Sequence, residues 1–251
     1  MSPTSDDLGR PVTVPAGVDR VVSLVPSLTE SIAVTAPGLL IGATDWCTHP
    51  ADLDVARTGG TKTPRVTDIL NLRPDIVIAN DEENRPADLD ALRAAGVAVW
   101  VTAPTTVREA ITSLDRMLRF ACRLDRPAWL DEAEHNWADL RDAPTRTAVV
   151  PIWRRPWMAL GRDTFAGDVL ARLGVANALR EHAERYPRIE LDTLPAHDLV
   201  VLPDEPYPFS PDDGPEAFPD TESRCVSGRH LTWYGPSLVE APDVLRRQLY
   251  S

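Results

Sequence analysis

Along the first half of the chain, short apolar runs rich in valine and isoleucine alternate with stretches of helical spacing. Arg20 to Val25, Leu39 to Ala43, Asp75 to Ala79 and Val97 to Val101 have strand length and little polar alternation, as strands buried on both faces of a parallel sheet require. Between them, Ser27-Leu28-Thr29-Glu30 predicts a capping box directly after the first strand. Pro86, Leu89, Leu92 and Gly96 outline a helix with a proline start and a glycine stop. Strand and helix in this alternation predict βαβ units and a three-layer sandwich.

Thr106-Val107-Arg108-Glu109 forms a second capping box, and Val107, Ile111, Leu114, Leu118 and Ala121 then keep the spacing of one helical face. A further helix, about Asp125 to Arg141, carries Trp129, Ala133, Trp137 and Leu140 on one stripe and ends before Pro144. The second half repeats the order, with strands at Thr147 to Ile152 and Asp198 to Leu202, a helix at Phe165 to Leu173 stopped by Gly174, a short strand near Cys225, and a closing helix after Pro242. The predicted organisation is α/β: an amino-terminal lobe over 1–124, a connector helix over 125–145, and a carboxyl-terminal lobe over 146–251.

The two halves also echo each other in sequence. Asp75-Ile76-Val77-Ile78-Ala79-Asn80-Asp81-Glu82 is matched by Asp198-Leu199-Val200-Val201-Leu202-Pro203-Asp204-Glu205, with the acidic pair trailing the strand in both. Ligands of open α/β sheets sit beyond the carboxyl ends of the strands, where these pairs fall, so a cleft lined by strand-end loops is expected.

Those loops are rich in aromatic and polar groups. The ligand-binding residues expected are Ser27, Asp45, Trp46, Lys62, Asn80, Glu82 and Asn84 from the first half, and Trp153, Arg154, Arg155, Trp157, Asp204, Glu205, Tyr207, His230, Trp233 and Tyr234 from the second. Indole rings beside a few directed polar groups suit a planar or apolar-bodied ligand; packing of lobe against lobe is the other use for them. Arg154-Arg155-Pro156-Trp157 has the makings of an anion clamp, or its arginines pair with the acidic loops. The acidic residues Glu82 and Glu83 suit a helix amino terminus.

Charge and cysteine usage narrow the classes. With 26 basic against 38 acidic side chains and a net charge of −12 over 251 residues, nucleic acid and anionic membranes are poor partners. No stretch approaches the apolar length of a membrane span. Cys47, Cys122 and Cys225 form no CxxC pair, and the opening residues show no apolar leader or lipobox cysteine, so a cytoplasmic protein in a reducing compartment is expected. Asp45, Cys47 and His49 lie too close together for usual zinc spacing, so no protein-held metal is expected. Nucleophile-elbow, Walker A, zincin and dinucleotide motifs are absent, leaving an enzyme built on Asp45, Cys47 and His49 as the competing class.

Several segments resemble the helical-backbone metal receptor superfamily, the class III periplasmic binding proteins. The resemblance is carried by Asp7-Leu8-Gly9-Arg10-Pro11-Val12, Arg20-Val21-Val22-Ser23-Leu24-Val25-Pro26-Ser27-Leu28-Thr29-Glu30, Gly59-Gly60-Thr61-Lys62 and Leu72-Arg73-Pro74-Asp75-Ile76-Val77-Ile78-Ala79. Arg155-Pro156-Trp157-Met158, Asp204-Glu205-Pro206-Tyr207-Pro208-Phe209 and Trp233-Tyr234-Gly235-Pro236 are similar to the cobalamin-receptor-like branch. The resemblance implies two Rossmann-like lobes joined by a single long connector helix. It further implies a non-catalytic solute-binding protein for a corrinoid, haem or ferric chelate. Coupling to an ABC permease is the family's usual partnership, and the lack of a secretion signal in this sequence argues against it.

Overall fold

In the computed structural model, which describes residues 4–140 and 145–250, the chain divides into two compact units. The first gathers the chain up to Pro104 with Ala110–Asp131 and Tyr234–Pro236; the second holds Thr105–Glu109, Glu132–Trp233 and Ser237–Ser251.

The first unit opens with an antiparallel ribbon of β1 (Thr4–Ser5) and β2 (Pro11–Val12). Its sheet contains β3 (Val21–Ser23), β4 (Leu40–Ala43), β5 (Ala56–Arg57), β6 (Ile76–Asn80) and β7 (Ala98–Thr102), all parallel, in the order β5-β4-β3-β6-β7. The crossovers carry α1 (Pro26–Thr35), α2 (Val66–Asn71) and α3 (Pro86–Ala94). Val22, Val77, Ala79, Val99 and Val101 meet Ile69 of α2 with Leu89 and Leu92 of α3 in one cluster, while the alternate residues Val21, Ile76, Ile78 and Trp100 are equally buried. Burial on both faces explains why these strands lack polar alternation.

The second unit follows the same plan. Its sheet contains β8 (Arg146–Val149), β11 (Val175–Asn177), β12 (Leu199–Pro203) and β13 (Glu222–Val226), all parallel, in the order β11-β8-β12-β13. A hairpin of β9 (Pro151–Trp153) and β10 (Met158–Ala159) follows β8, and α6 (Phe165–Arg172), α7 (Gly228–Thr232) and α8 (Ala241–Tyr250) complete the unit.

Three local expectations need correction. The strand expected over Thr147 to Ile152 breaks at Val150, and β9 leaves the parallel sheet. The break follows from Pro151, which has no N–H to give a strand flanked on both sides. The Ser27–Glu30 capping box does not form either. Helix α1 starts two residues earlier, at Pro26, whose φ suits the first helical position, so Val25 is the cap and Ser27 lies inside the helix. The helix expected over 125–141 is α5 (Ala128–Ala138), shorter at its start because Pro127 disfavours helix at Arg126 and ended before Asp139 and Leu140, while 141–144 lie outside the described residues.

The second capping box does form. The Glu109 amide donates to Thr106 Oγ1 at 3.1 Å, and Glu109 Oε2 accepts from the Thr105 amide at 2.9 Å, at the start of α4 (Val107–Arg116). This helix continues into a wider turn, Met117–Ala121, and Val107, Ile111, Leu114, Leu118 and Ala121 are all buried, as their spacing predicted.

Candidate functional site

Because the first sheet is parallel, the loops after its strands all leave from one edge. Asn80, at the end of β6, uses its whole amide there. Its Nδ2 donates to Thr102 O at 3.0 Å and Tyr234 Oη at 2.6 Å, and its Oδ1 accepts from the Glu82 and Glu83 amides at 2.8 and 3.0 Å. Thr102 Oγ1 donates to Ala79 O at 3.1 Å, so its 2.9 Å contact with Tyr234 is one in which the tyrosine hydroxyl donates. A continuous relay of donors runs from Asn80 through Tyr234 and Thr102 to Ala79. Burial pushes the Tyr234 phenol well above its ordinary pKa, so it stays neutral in this relay.

Asn84 holds the adjoining loops, donating to Leu24 O at 3.3 Å and Thr61 O at 3.0 Å while accepting from the Asn80 amide at 2.9 Å. Asn80, Asn84, Ser27 and Tyr234 are thus all buried framework at this edge. Lys62 is exposed and gives its ammonium to the Glu82 carbonyl. Asp45 lies 3.8 Å from Arg65. Trp46 stands out from this loop with 67% of its surface exposed.

Beneath Trp46 the loop is rigidly tied. The Cys47 thiol is buried within 3.0 Å of Thr29 Oγ1 and 3.1 Å of Thr44 Oγ1, and Arg57 donates to the Thr44 and Cys47 carbonyls at 3.0 and 2.8 Å. A nucleophile needs solvent access and a base at hand, and this thiol is sealed inside the fold. Among the described residues no group of three or more His, Cys, Asp or Glu is placed to hold a metal ion.

At the corresponding edge of the second unit, Trp153 is 43% exposed and packs edge-on against Tyr207, their centroids 5.8 Å apart and planes at 83°. Tyr207 in turn donates to Asp213 Oδ2 at 2.7 Å, and the carboxylate raises the phenol's pKa. Arg154 is tied inward, paired with Asp213 and, at 2.5 Å, with Glu216, and its guanidinium lies 5.2 Å from the Trp157 ring centroid. Trp157 stacks on Phe209 at 5.9 Å with planes 6° apart, and meets Phe218 edge-on at 5.5 Å. Arg155, between these two anchored residues, is exposed.

Other expected ligand residues also have internal work. Asp204 Oδ1 accepts the Gly228 amide at 2.6 Å, and a Cβ on Gly228 would meet Glu205 backbone at 2.7 Å, so this turn sits directly against α7. His230 spends both ring nitrogens, Nδ1 on Ser227 Oγ at 2.7 Å and Nε2 on Glu240 at 2.9 Å. Trp233 lies under the Arg229 guanidinium at 5.9 Å. Glu82 and Glu83 are not the helix cap: their own amides are capped by Asn80, and α3 begins later, at Pro86.

Sequence reasoning missed Asp213 and Glu216, which decide what Arg154 does. The available signal was the acidic turn Asp212-Asp213-Gly214-Pro215-Glu216, whose Gly214 has φ +133° and no room for a Cβ, with Phe209 Cδ1 at 2.8 Å. A recess of about 590 Å³ lies elsewhere in the second unit, between Pro215, Phe218, Pro219, Arg224, Cys225 and Gln248, and includes none of the expected ligand residues.

Comparison with protein-family models gives no match. In sequence the chain is similar to the vitamin B12-binding protein of Yersinia pestis (strain Pestoides F), with 29% identity over 203 residues, 76% of this chain and 71% of that protein. In structure it is similar to the periplasmic vitamin B12-binding protein BtuF of Vibrio cholerae, at a TM-score of 0.74 and 18% identity over 94% of this chain and 98% of that one. The periplasmic heme-binding protein HutB of Vibrio cholerae gives a TM-score of 0.71 and 18% identity over 92% and 99%. The fold is that of the two-lobed class III solute-binding proteins. In sequence and in fold the chain is similar to proteins of that group.

The expected cytoplasmic location is overturned, since the solved neighbours are periplasmic proteins. The opening residues of the sequence do not decide a compartment. Nor do the cysteines: Cys47 and Cys122 are free but buried, and such thiols survive an oxidising compartment because no oxidant or second thiol reaches them.

Proposed function

We propose that this protein is a non-catalytic receptor for a metal chelate of the corrinoid or tetrapyrrole kind, bound through strand-end loops. The observation that carries the reading is the exposure of Trp46 and Trp153, 67% and 43%, each at the strand-end loops of its own unit in a chain of this fold. Leaving an indole in water is unfavourable, and each ring offers a flat apolar face of the kind that covers a macrocycle. Both rings stand on loops tied by hydrogen bonds or ion pairs, so little ordering is required on binding.

The relatives are named as binding proteins, and the one candidate nucleophile, Cys47, is sealed, so the enzyme alternative has no support. An ABC permease is the partner that such a receptor serves. The opening residues of the sequence do not decide against one.

A thermal-shift series with cobalamin, haem and ferric siderophores tests the reading. Ligand at one hundred times its Kd stabilises by about 2.7 kcal/mol, which raises the melting temperature of a chain this size by about 5–10 °C. At least one member should give that rise and be recovered chemically unchanged. No shift with any of them would overturn the reading.

A further inference from the structure

Two successive glycines open the turn after β5, and the backbone demands only the first of them. Gly59 has φ +92°, and a Cβ there would meet the Thr63 carbonyl oxygen at 2.8 Å. Gly60 lies outside the left-handed region, and a Cβ built on it would meet side-chain atoms: Thr63 Oγ1 at 3.0 Å, then Nε1 and Cδ1 of Trp46 at 3.4 and 3.9 Å. Thr63 is exposed, so its hydroxyl can turn to another rotamer. What borders the space of the missing side chain is therefore the pyrrole edge of the Trp46 indole.

The turn beneath the ring is fixed on several sides. The Asp45 amide, one residue before Trp46, donates to Gly59 O at 2.8 Å; the Thr63 amide donates to Gly60 O at 3.2 Å, and the Arg65 amide to Thr58 O at 2.7 Å. Thr61 O accepts from Asn84 Nδ2 at 3.0 Å, which joins the turn to the buried amides at the end of β6. We propose that Gly60 is the positioning residue for Trp46, a seat that turns the N–H edge of the indole toward the turn and presents its six-membered ring to the ligand. The inference rests on the receptor reading above and deepens it, because it assigns Trp46 to apolar cover of the ligand's planar body and not to donation from its N–H. A ring that is already held loses little freedom when a ligand lands on it, so the seat raises affinity without touching the ligand. A methyl at position 60 would only just reach the ring, whereas the branches of valine would occupy the seat and push the indole away.

A double-mutant cycle of Gly60→Val with Trp46→Ala tests the assignment. Affinities are measured by calorimetry with cobalamin and with iron protoporphyrin IX, and each variant is melted. For a chelate that the wild type binds, Gly60→Val should weaken binding about tenfold when Trp46 is present and by less than about twofold in the Trp46→Ala background, because its effect passes through the indole. The near-ultraviolet circular dichroism of Trp46, taken as each protein minus its Trp46→Phe counterpart, should fall sharply in Gly60→Val and less in Gly60→Ala. Gly60→Ala, which needs only Thr63 to turn, keeps both comparisons readable should Gly60→Val fail to fold; its loss of affinity should be about threefold with Trp46 and absent without it. Equal losses in the two backgrounds, or a Trp46 signal that neither Gly60 variant changes, overturn the seat and leave the receptor reading standing. Binding of neither chelate by the wild type overturns the receptor reading, and the seat's role in recognition with it.

Discussion

Asp75 and Asp198 make the same pair of contacts in the two units. Asp75 Oδ2 accepts the Arg20 amide at 2.9 Å and the Asp75 amide returns to Arg20 O at 2.8 Å; Asp198 Oδ2 accepts the Thr147 amide at 2.9 Å and the Asp198 amide returns to Thr147 O at 2.8 Å. Each aspartate thereby fixes the register between the central strand it precedes and the neighbouring parallel strand, β3 in one unit and β8 in the other. At the far ends the match continues, with Asp81 donating to Thr102 O at 3.0 Å and Asp204 to Val226 O at 3.1 Å. The sequence echo is therefore a structural repeat, and its leading aspartate has a mechanical reason.

Charge-assisted hydrogen bonds of this kind contribute about 1.5–3 kcal/mol when buried and less at a strand end open to water. Asp75→Ala and Asp198→Ala should each lower stability by about 1–2 kcal/mol in urea unfolding. The double variant should show the sum, because the two sites share no partner. Losses that depend strongly on each other would contradict independent register locks.

Tyr234 makes a second prediction. Removing its hydroxyl leaves one of the two Asn80 Nδ2 hydrogens without its acceptor and Thr102 Oγ1 without the tyrosine's donor inside the first unit, so Tyr234→Phe should cost about 1–3 kcal/mol. Gly235→Ala should be at least as damaging, since its Cβ would meet Ser27 O and Ser31 Oγ at 2.9 Å each. Denaturant melts of the two variants check both.

Glu109 gives a pH signature. The Thr105 amide, followed by smaller hydrogen bonds from Thr105 and Thr106, holds its pKa below the ordinary glutamate value. A lowered folded pKa means stability that is present above the unfolded pKa and lost as pH falls through the folded one. Glu109→Gln should therefore be less stable than wild type by about 0.5–1 kcal/mol near pH 7. That gap should close once the pH falls below the ordinary glutamate range of about 4.3. Melting temperatures of both proteins across that range decide it.

The thiols should separate by reactivity. Burial pushes the Cys122 thiol up to about 12, so native protein at about pH 8 should leave it unmodified by iodoacetamide, whereas half-buried Cys225 should label slowly. Peptide mapping after alkylation shows which thiol reacted.

Much of the fold could be derived from sequence because the strands of a buried parallel sheet announce themselves: Ile76 to Ala79 and Leu199 to Leu202 are apolar on both faces and buried at every position. Their aspartates gave the repeat as well. Local rules failed where a proline overrode them, at Pro26 before the supposed Ser27 cap and at Pro151 within the supposed strand. The site was harder to derive. A polar residue in a strand-end loop looks the same in sequence whether it meets a ligand or a distant partner. Asn80 meets Tyr234 and Arg154 meets Asp213 and Glu216 only through the tertiary fold. The surplus of tryptophan in loops is plain in the sequence, and of those rings Trp46 and Trp153 are exposed.

Those two indoles provide the most direct test of the receptor account. A fluorescence titration with whichever chelate stabilises the wild type should be repeated on Trp46→Ala, Trp153→Ala and the double variant, none of which loses core contacts of a buried ring. Wild-type emission should quench on binding, each single variant should bind about tenfold or more weakly, and the double variant should lose measurable binding while melting within about 2 °C of wild type. Undiminished affinity in the double variant would contradict a ligand held by these indoles.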